Sequence, residues 1–232
     1  DRIMKVNTVS KGLLFWAVTL AATFFSACSL PRNPVPLAQI SDGQPVGFPS
    51  VRYWESEYRP DVRAGQDKYS DCSVLALSGG GANGAFGSGF LSGWTASGTR
   101  PHFRVVTGIS TGSLTAPLAF LGSEYDKKLE EYYTTVKTRD ILDVQGILGF
   151  GFLPVLLGES YASTKPLQRL IEQLVDQAVL DAVAAEHAKD RRLYIGTTNL
   201  DAQRLMVWDM GRIAGSGHPD ALKMFRKVML AS

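Results

Sequence analysis

The sequence predicts an α/β fold built on a mainly parallel central sheet. Three observations predict it. Short apolar runs of strand length alternate with stretches of helical period from about residue 70 onward. Two of those runs end in glycine-rich loops that open a helix. The apolar runs are continuous rather than alternating, as in strands covered on both faces.

The first strand is read over Ser73–Ser78 (SVLALS), followed by the loop Gly79–Gly84. Phe86, Phe90, Leu91 and Trp94 then recur at helical spacing, with Gly98 as the stop. Phe103–Thr107 reads as a second strand, and Gly108–Gly112 as its terminal loop. A helix follows from about Ser113 to Leu121, kinked at Pro117, and another over Asp126–Val136. Thr164 is placed to cap one long helix whose core stripe is Leu167, Leu170, Ile171, Leu174, Val175 and Ala178. Leu193–Thr198 and Leu205–Asp209 read as hairpin partners across Asn199–Gln203, and Asp220–Leu230 as a final helix. Gly146–Gly158 carries no charge and reads as a buried irregular core segment, with an apolar flap as the second reading.

The chain has 232 residues, 45% hydrophobic and 20% charged, which excludes a disordered or collagen-like protein. Residues 1–27 hold Arg2, Lys5 and Lys11 against Asp1, a net of +2. The rest balances at 21 positive (24 − 3) against 21 negative (22 − 1). A neutral body without a Lys/Arg run is a poor nucleic-acid binder, because that binding relies on neutralising phosphates.

The N-terminal segment reads as an export leader. A cationic stretch precedes Leu13–Phe25, 13 mostly apolar residues, whereas a bilayer span needs about 20. Phe25-Ser26-Ala27-Cys28-Ser29 resembles the lipobox of bacterial lipoproteins. That resemblance implies cleavage before Cys28, a diacylglycerol on its sulfur and, with Ser29 next, sorting to the outer membrane of a Gram-negative cell. Six of the eleven prolines fall at 31–60, so residues 28–69 read as a semi-rigid tether and lead-in. Arg52, Tyr53, Trp54 and Tyr58 suggest that its last part packs on the domain, residues 70–232. Cys72 is then the single unmodified cysteine, read as a buried thiol.

Two glycine motifs carry the chemistry. Gly79-Gly80-Gly81-Ala82-Asn83-Gly84 fits a dinucleotide fingerprint, but the following strand, His102–Thr107, lacks the ribose-binding acid. A phosphate-binding Lys-Ser/Thr pair is also absent. Gly108-Ile109-Ser110-Thr111-Gly112 is a G-x-S-x-G between strand and helix, the context of a nucleophile elbow. Acyl transfer from a serine needs donors aimed at the oxyanion, and a glycine run at a helix start offers free N–H groups. The two loops therefore read as nucleophile and oxyanion hole, provided that their strands are neighbours.

The chain at this point resembles the patatin-like phospholipase family. The matching pieces are Leu77–Gly84, Val106–Ser113 and Val228-Met229-Leu230-Ala231-Ser232. The resemblance implies a three-layer fold, metal-free and cofactor-free hydrolysis of lipid esters, and a Ser-Asp dyad with Ser110 as nucleophile. Gly79, Gly80, Gly81 and Ala82 would supply the oxyanion hole, with Gly84, Gly108, Thr111 and Gly112 completing the motifs. Asn83 stands where many members carry Lys or Arg, which removes a charge and keeps the backbone donors. The family's aspartate lies in an Asp-Gly-Gly or Asp-Gly-Ala motif beyond the Ala-Ser segment. The one Asp-Gly here, Asp42-Gly43, precedes the serine, so the chain is expected to be an N-terminal fragment without its base. The alternatives are an α/β-hydrolase triad drawing on His187 or His218 with Asp201 or Asp209, and a lipoprotein that binds lipid or a partner without turnover.

The ordered leader makes a direct prediction. Cys28→Ser is expected to leave the precursor uncleaved and unlabelled by radioactive palmitate. Equal labelling of variant and parent would exclude lipidation at this cysteine.

Overall fold

Val74–Leu77 (β2), Val105–Ile109 (β3) and Arg192–Asn199 (β4) lie side by side and parallel. Their residues explain why: Val106, Leu193 and Ile195 are fully buried in one core, and parallel pairs survive where helices cover them. The computed structural model describes Pro36 and residues 43–57, 73–135 and 164–232. All of these belong to one compact unit, Val35–Val144 with Ala162–Ser232.

Arg204–Asp209 (β5) returns antiparallel to β4, pairing Asn199 with Arg204 and Tyr194 with Asp209. The hairpin expected there is therefore found. Asn199 Oδ1 accepts from the amides of Asp201 and Ala202 and shapes the turn. Arg52–Trp54 (β1) adds an antiparallel edge strand against β5, so the lead-in joins the sheet and does more than rest on it. The sheet order is β1-β5-β4-β3-β2.

Seven α-helices are described. They are α1 (Gly84–Ala96), α2 (Thr111–Leu121), α3 (Asp126–Thr135), α4 (Lys165–Leu174), α5 (Gln177–Ala188), α6 (Met210–Ala214) and α7 (Ala221–Ala231). Helix α2 is buried along ten of its eleven residues, with Pro117 accommodated inside it. The single long helix expected from Thr164 is two helices. Val175 leaves helical geometry, and the Asp176 carboxylate accepts from the Val179 amide, starting α5 afresh. Ile171, Leu174 and Val175 are buried as expected, whereas Ala178 is exposed. Thr164 makes no side-chain cap. Phe86 and Phe90 share a helical face with Trp94, yet they are 78% and 57% exposed among the described residues, so only the Trp94 end of that face, packed on Phe103, meets the core. No described helix is long and apolar enough to cross a membrane. The leader with Cys28, most of the tether, Tyr58, Cys72 and the 146–158 segment lie outside the described residues.

The lower rim of the sheet, where the parallel strands begin, is tied by charge. Arg100 pairs with Asp126 at 2.6 Å, and Arg191 pairs with Glu186 at 2.7 Å while donating to the carbonyls of Phe103 and Phe120. His187, in the last turn of α5, rests against Gly211, where an added Cβ would stand 2.2 Å from Nδ1. Among the described residues buried Nδ1 has no hydrogen-bond partner, and Asp209 Oδ1 is 3.8 Å away, too far for one.

Burial holds the His187 imidazole below its usual range, aided by Arg192 and Arg212 and opposed by Asp209 and Asp190. A depressed histidine stabilises the fold while it is neutral. That contribution is complete above the unfolded-state value of about 6.5 and fades as pH falls from there through the folded-state value. Thermal unfolding is therefore expected to show Tm falling between pH 7 and 5.5 in the parent. A shallower fall is expected in His187→Gln, and parallel profiles would exclude His187 as the cause.

Candidate active site

The two glycine motifs meet because β2 and β3 end level. Leu77 pairs with Gly108, so the loops after each strand emerge together at the upper rim. Their contact leaves no room for side chains. A Cβ on Gly112 would stand 2.3 Å from the carbonyl oxygen of Leu77 and 2.9 Å from that of Ser78. A Cβ on Gly108 would meet the Gly112 carbonyl at 2.5 Å. A Cβ on Gly79 would stand 2.8 Å from Ser110 Cβ and 3.4 Å from its hydroxyl. Gly108 and Gly112 are required by a close approach of backbone, and Gly79 by the Ser110 side chain.

Ser110 has φ +56° and ψ −125°, a conformation that a residue with a side chain rarely adopts. A serine at a helix start ordinarily caps the next amides. Ser110 does not: its hydroxyl makes no cap and stands exposed beside Gly79. Its backbone is tied on both sides instead. The carbonyl accepts from the Ser113 amide at 2.8 Å and from the Ser113 hydroxyl at 2.6 Å. The amide donates to Ser232 Oγ at 2.9 Å.

Gly79, Gly80, Gly81 and Ala82 form the exposed loop, with Gly81 at φ +56° in a 3-10 turn, Gly81–Asn83, that leads into α1. The first amides of such a turn have no partner within it, which leaves N–H groups at a helix start facing outward. Asn83 is exposed and donates its amide to Gly80. Gly84 lets α1 approach α2 and α3: a Cβ there would meet the Tyr133 hydroxyl at 2.7 Å and Thr111 Cβ at 3.1 Å. Tyr133 bonds to Thr115 at 3.0 Å, and burial holds its phenol above the usual range. Thr111 Oγ1 is buried without a partner in the described residues.

A cavity of about 280 Å³ opens beside the loops, lined by Ala76, Gly79, Asn83, Phe86, Thr111 and Thr115 among others. A larger one, about 460 Å³, lies between α3 and α4 and touches none of the loop residues. The smaller cavity is lined by Gly79, Thr111 and Gly112, the residues around Ser110.

Three of the residues considered for a triad, His187, His218 and Asp209, are elsewhere. His187 precedes β4 and His218 precedes α7, whereas Ser110 lies past the end of β3. α7 touches Ser110 through Ser232 at its far end, so His218 is about 16 Å away along an eleven-residue helix. His218 packs on Phe48, with ring centroids 4.6 Å apart. Asp209 is buried on the Arg212 amide and Arg212 side chain, and Asp201 sits in the β4–β5 turn. The structure thus brings Ser110 to the glycine loop and brings neither histidine nor Asp209 to it. Reading the sequence by motif missed Tyr133 and the hydroxyl of Ser232. The Ala231-Ser232 pair was the available signal for the second, and nothing in Asp126–Thr135 marked the first.

Among protein families, the model described as patatin-like phospholipase matches residues 75–232. No curated protein matches, and no solved structure does.

The close approaches predict a graded response to adding one methyl group. Gly112→Ala places its Cβ against backbone that cannot move aside, and is expected to cost about 3 kcal/mol or more. Gly87→Ala, in open space within α1, is expected to be neutral or to stabilise by up to about 1 kcal/mol. Urea unfolding of both checks this, and equal midpoints would refute the tight crossing.

Proposed function

The chain belongs to the patatin-like phospholipase family, and on that premise we propose that it is a serine lipid acyl hydrolase with Ser110 as nucleophile. One observation carries the assignment: the strained, uncapped Ser110 stands against Gly79 at the joined ends of two parallel strands.

In this reading the Ser110 hydroxyl attacks the carbonyl carbon of a lipid ester and loses its proton to a carboxylate. The resulting oxyanion lies at the glycine loop, held by amides drawn from Gly79, Gly80, Gly81 and Ala82, with Thr111 beside it. The leaving alcohol takes the proton, and water then hydrolyses the acyl-enzyme. Asn83 is consistent with this scheme, because the loop acts through backbone dipoles rather than a side-chain charge. The carboxylate is assigned to an Asp-Gly-Gly or Asp-Gly-Ala motif that follows Ser232, giving a Ser-Asp dyad. The positions of His187, His218 and Asp209 disfavour a Ser-His-Asp triad.

The substrate class is a membrane lipid or another acyl ester, and no cofactor enters the scheme. Anchoring through Cys28 to the outer membrane would place the hydrolase at a lipid surface. A non-catalytic lipid-binding role is separated from this reading by a serine-reactive fluorophosphonate.

In the full-length protein, Ser110→Ala is expected to abolish fluorophosphonate labelling. It is also expected to lower turnover of a short-chain ester and a phospholipid by several orders of magnitude, with circular dichroism unchanged. A parent that does not label, or a variant that keeps most of its turnover, would overturn the assignment.

A further inference from the structure

We propose that Ser232 is a positioning residue for the nucleophile: its hydroxyl holds the amide of Ser110 and so keeps the elbow in its attacking conformation. The inference rests on the reading of Ser110 as nucleophile.

The hydrogen-bond direction is determined by the atoms available. Gly196 offers a carbonyl, which only accepts, and Ser232 Oγ lies 2.7 Å from it. The single hydroxyl proton therefore goes to Gly196. The lone pairs that remain face the Ser110 amide, a donor, at 2.9 Å. One hydroxyl thus bridges three elements: the elbow, strand β4 at the residue paired with Ile109, and the end of α7. Both ends of the bridge are anchored. α7 is seated by Phe225, Val228 and Met229, all buried, and β4 by Leu193 and Ile195.

The elbow needs such a tie. A non-glycine residue at φ +56° persists only where its surroundings over-determine it. On the carbonyl side of Ser110 the restraint is local, from Ser113 within α2. On the amide side, among the described residues, it comes from Ser232, 122 positions away. Loss of that bond frees the peptide before Ser110 to rotate, and the Ser110 hydroxyl turns with it away from Gly79.

A second consequence follows for the oxyanion. In some serine hydrolases the nucleophile's own amide is a donor to the hole. Here that amide is occupied by Ser232, so the donors must come from the glycine loop and from Thr111. Ser232 thereby determines which amides are free as well as where the hydroxyl points.

The test uses the full-length protein and three variants, Ser232→Ala, Ser232→Thr and Ser232→Cys. Melting temperature, the rate of fluorophosphonate labelling at Ser110, and kcat and KM on a short-chain nitrophenyl ester are measured well below each Tm. Ser232→Ala is expected to slow labelling and kcat at least tenfold, with KM within about twofold of the parent. Ser232→Thr, which keeps the hydroxyl, is expected to recover most of the loss. Ser232→Cys nearly preserves shape while its sulfur hydrogen-bonds weakly, so it is expected to behave like alanine and serves if Ser232→Ala does not fold. A parent that labels at Ser110 and a folded Ala or Cys variant that labels as fast, even at a lower Tm, would overturn this inference alone. A threonine variant as slow as alanine would also overturn it. A parent that does not label at Ser110 overturns the nucleophile reading, and this inference with it.

Discussion

Everything at the upper rim depends on one steric constraint: the turn after β3 passes beneath the end of β2 with backbone against backbone. Gly112 lies under the carbonyls of Leu77 and Ser78, Gly108 under that of Gly112, and Gly79 against Ser110. Dense packing of this kind has few alternative arrangements, so a fixed geometry follows from contact alone. The level ending of β2 and β3 sets the height at which the loops meet, and the glycines set how closely. A serine placed in that turn is forced to positive φ, with its hydroxyl turned away from the helix that it begins.

Beside the glycine loop the rim is electrically plain, whereas at the far side of the sheet Arg204 pairs with Glu55 at 4.0 Å. No charged residue occurs between Ser73 and Thr99, which includes β2, the glycine loop and α1. In the proposed reaction, stabilisation of developing negative charge there would fall to backbone N–H groups and the positive end of the α1 dipole. Such dipoles are already oriented before reaction, and they are worth more where water is sparse. Asn83 fits that environment, since it adds no charge to a loop that acts through its main chain.

Much of this was legible in the sequence, for a physical reason. Apolar runs of strand length pair in the sheet even at its edge, where β2 leaves Val74 57% exposed and is not covered on both faces as its continuous apolar run predicted, and turns with no room for a Cβ must be glycine. SVLALS, GGGANG and GISTG therefore announce themselves. What was not legible depends on tertiary context. The break between α4 and α5 hangs on one carboxylate, Asp176, choosing the Val179 amide over solvent, and a continuous apolar stripe concealed it. Arg52–Trp54 is three residues long, too short for a period to register, and pairs only because β5 presents an edge. Phe86, Phe90 and Trp94 share a face as their spacing required, but spacing says nothing of what that face meets. Ser232 is a single hydroxyl whose importance arises from partners 36 and 122 residues away, and no local pattern encodes such a bond.

The two rims of the sheet divide the work. At the lower rim, Arg100 with Asp126, Arg191 with Glu186 and Arg192 with Asp190 tie strand starts to helix ends. Arg191 adds bonds to two carbonyls, which fastens β4 to the residues before β3 and to the end of α2. Charge is useful there because long polar side chains can satisfy the free carbonyls at helix ends. At the upper rim, beside Ser110, a bulky side chain would open the crossing. Ionic ties at the strand starts and close backbone crossings at the glycine loops therefore serve different ends of the same parallel strands. Arg191 ties the start of β4 to the residues before β3, and the pairing of Leu77 with Gly108 sets β2 and β3 level so that the upper loops touch.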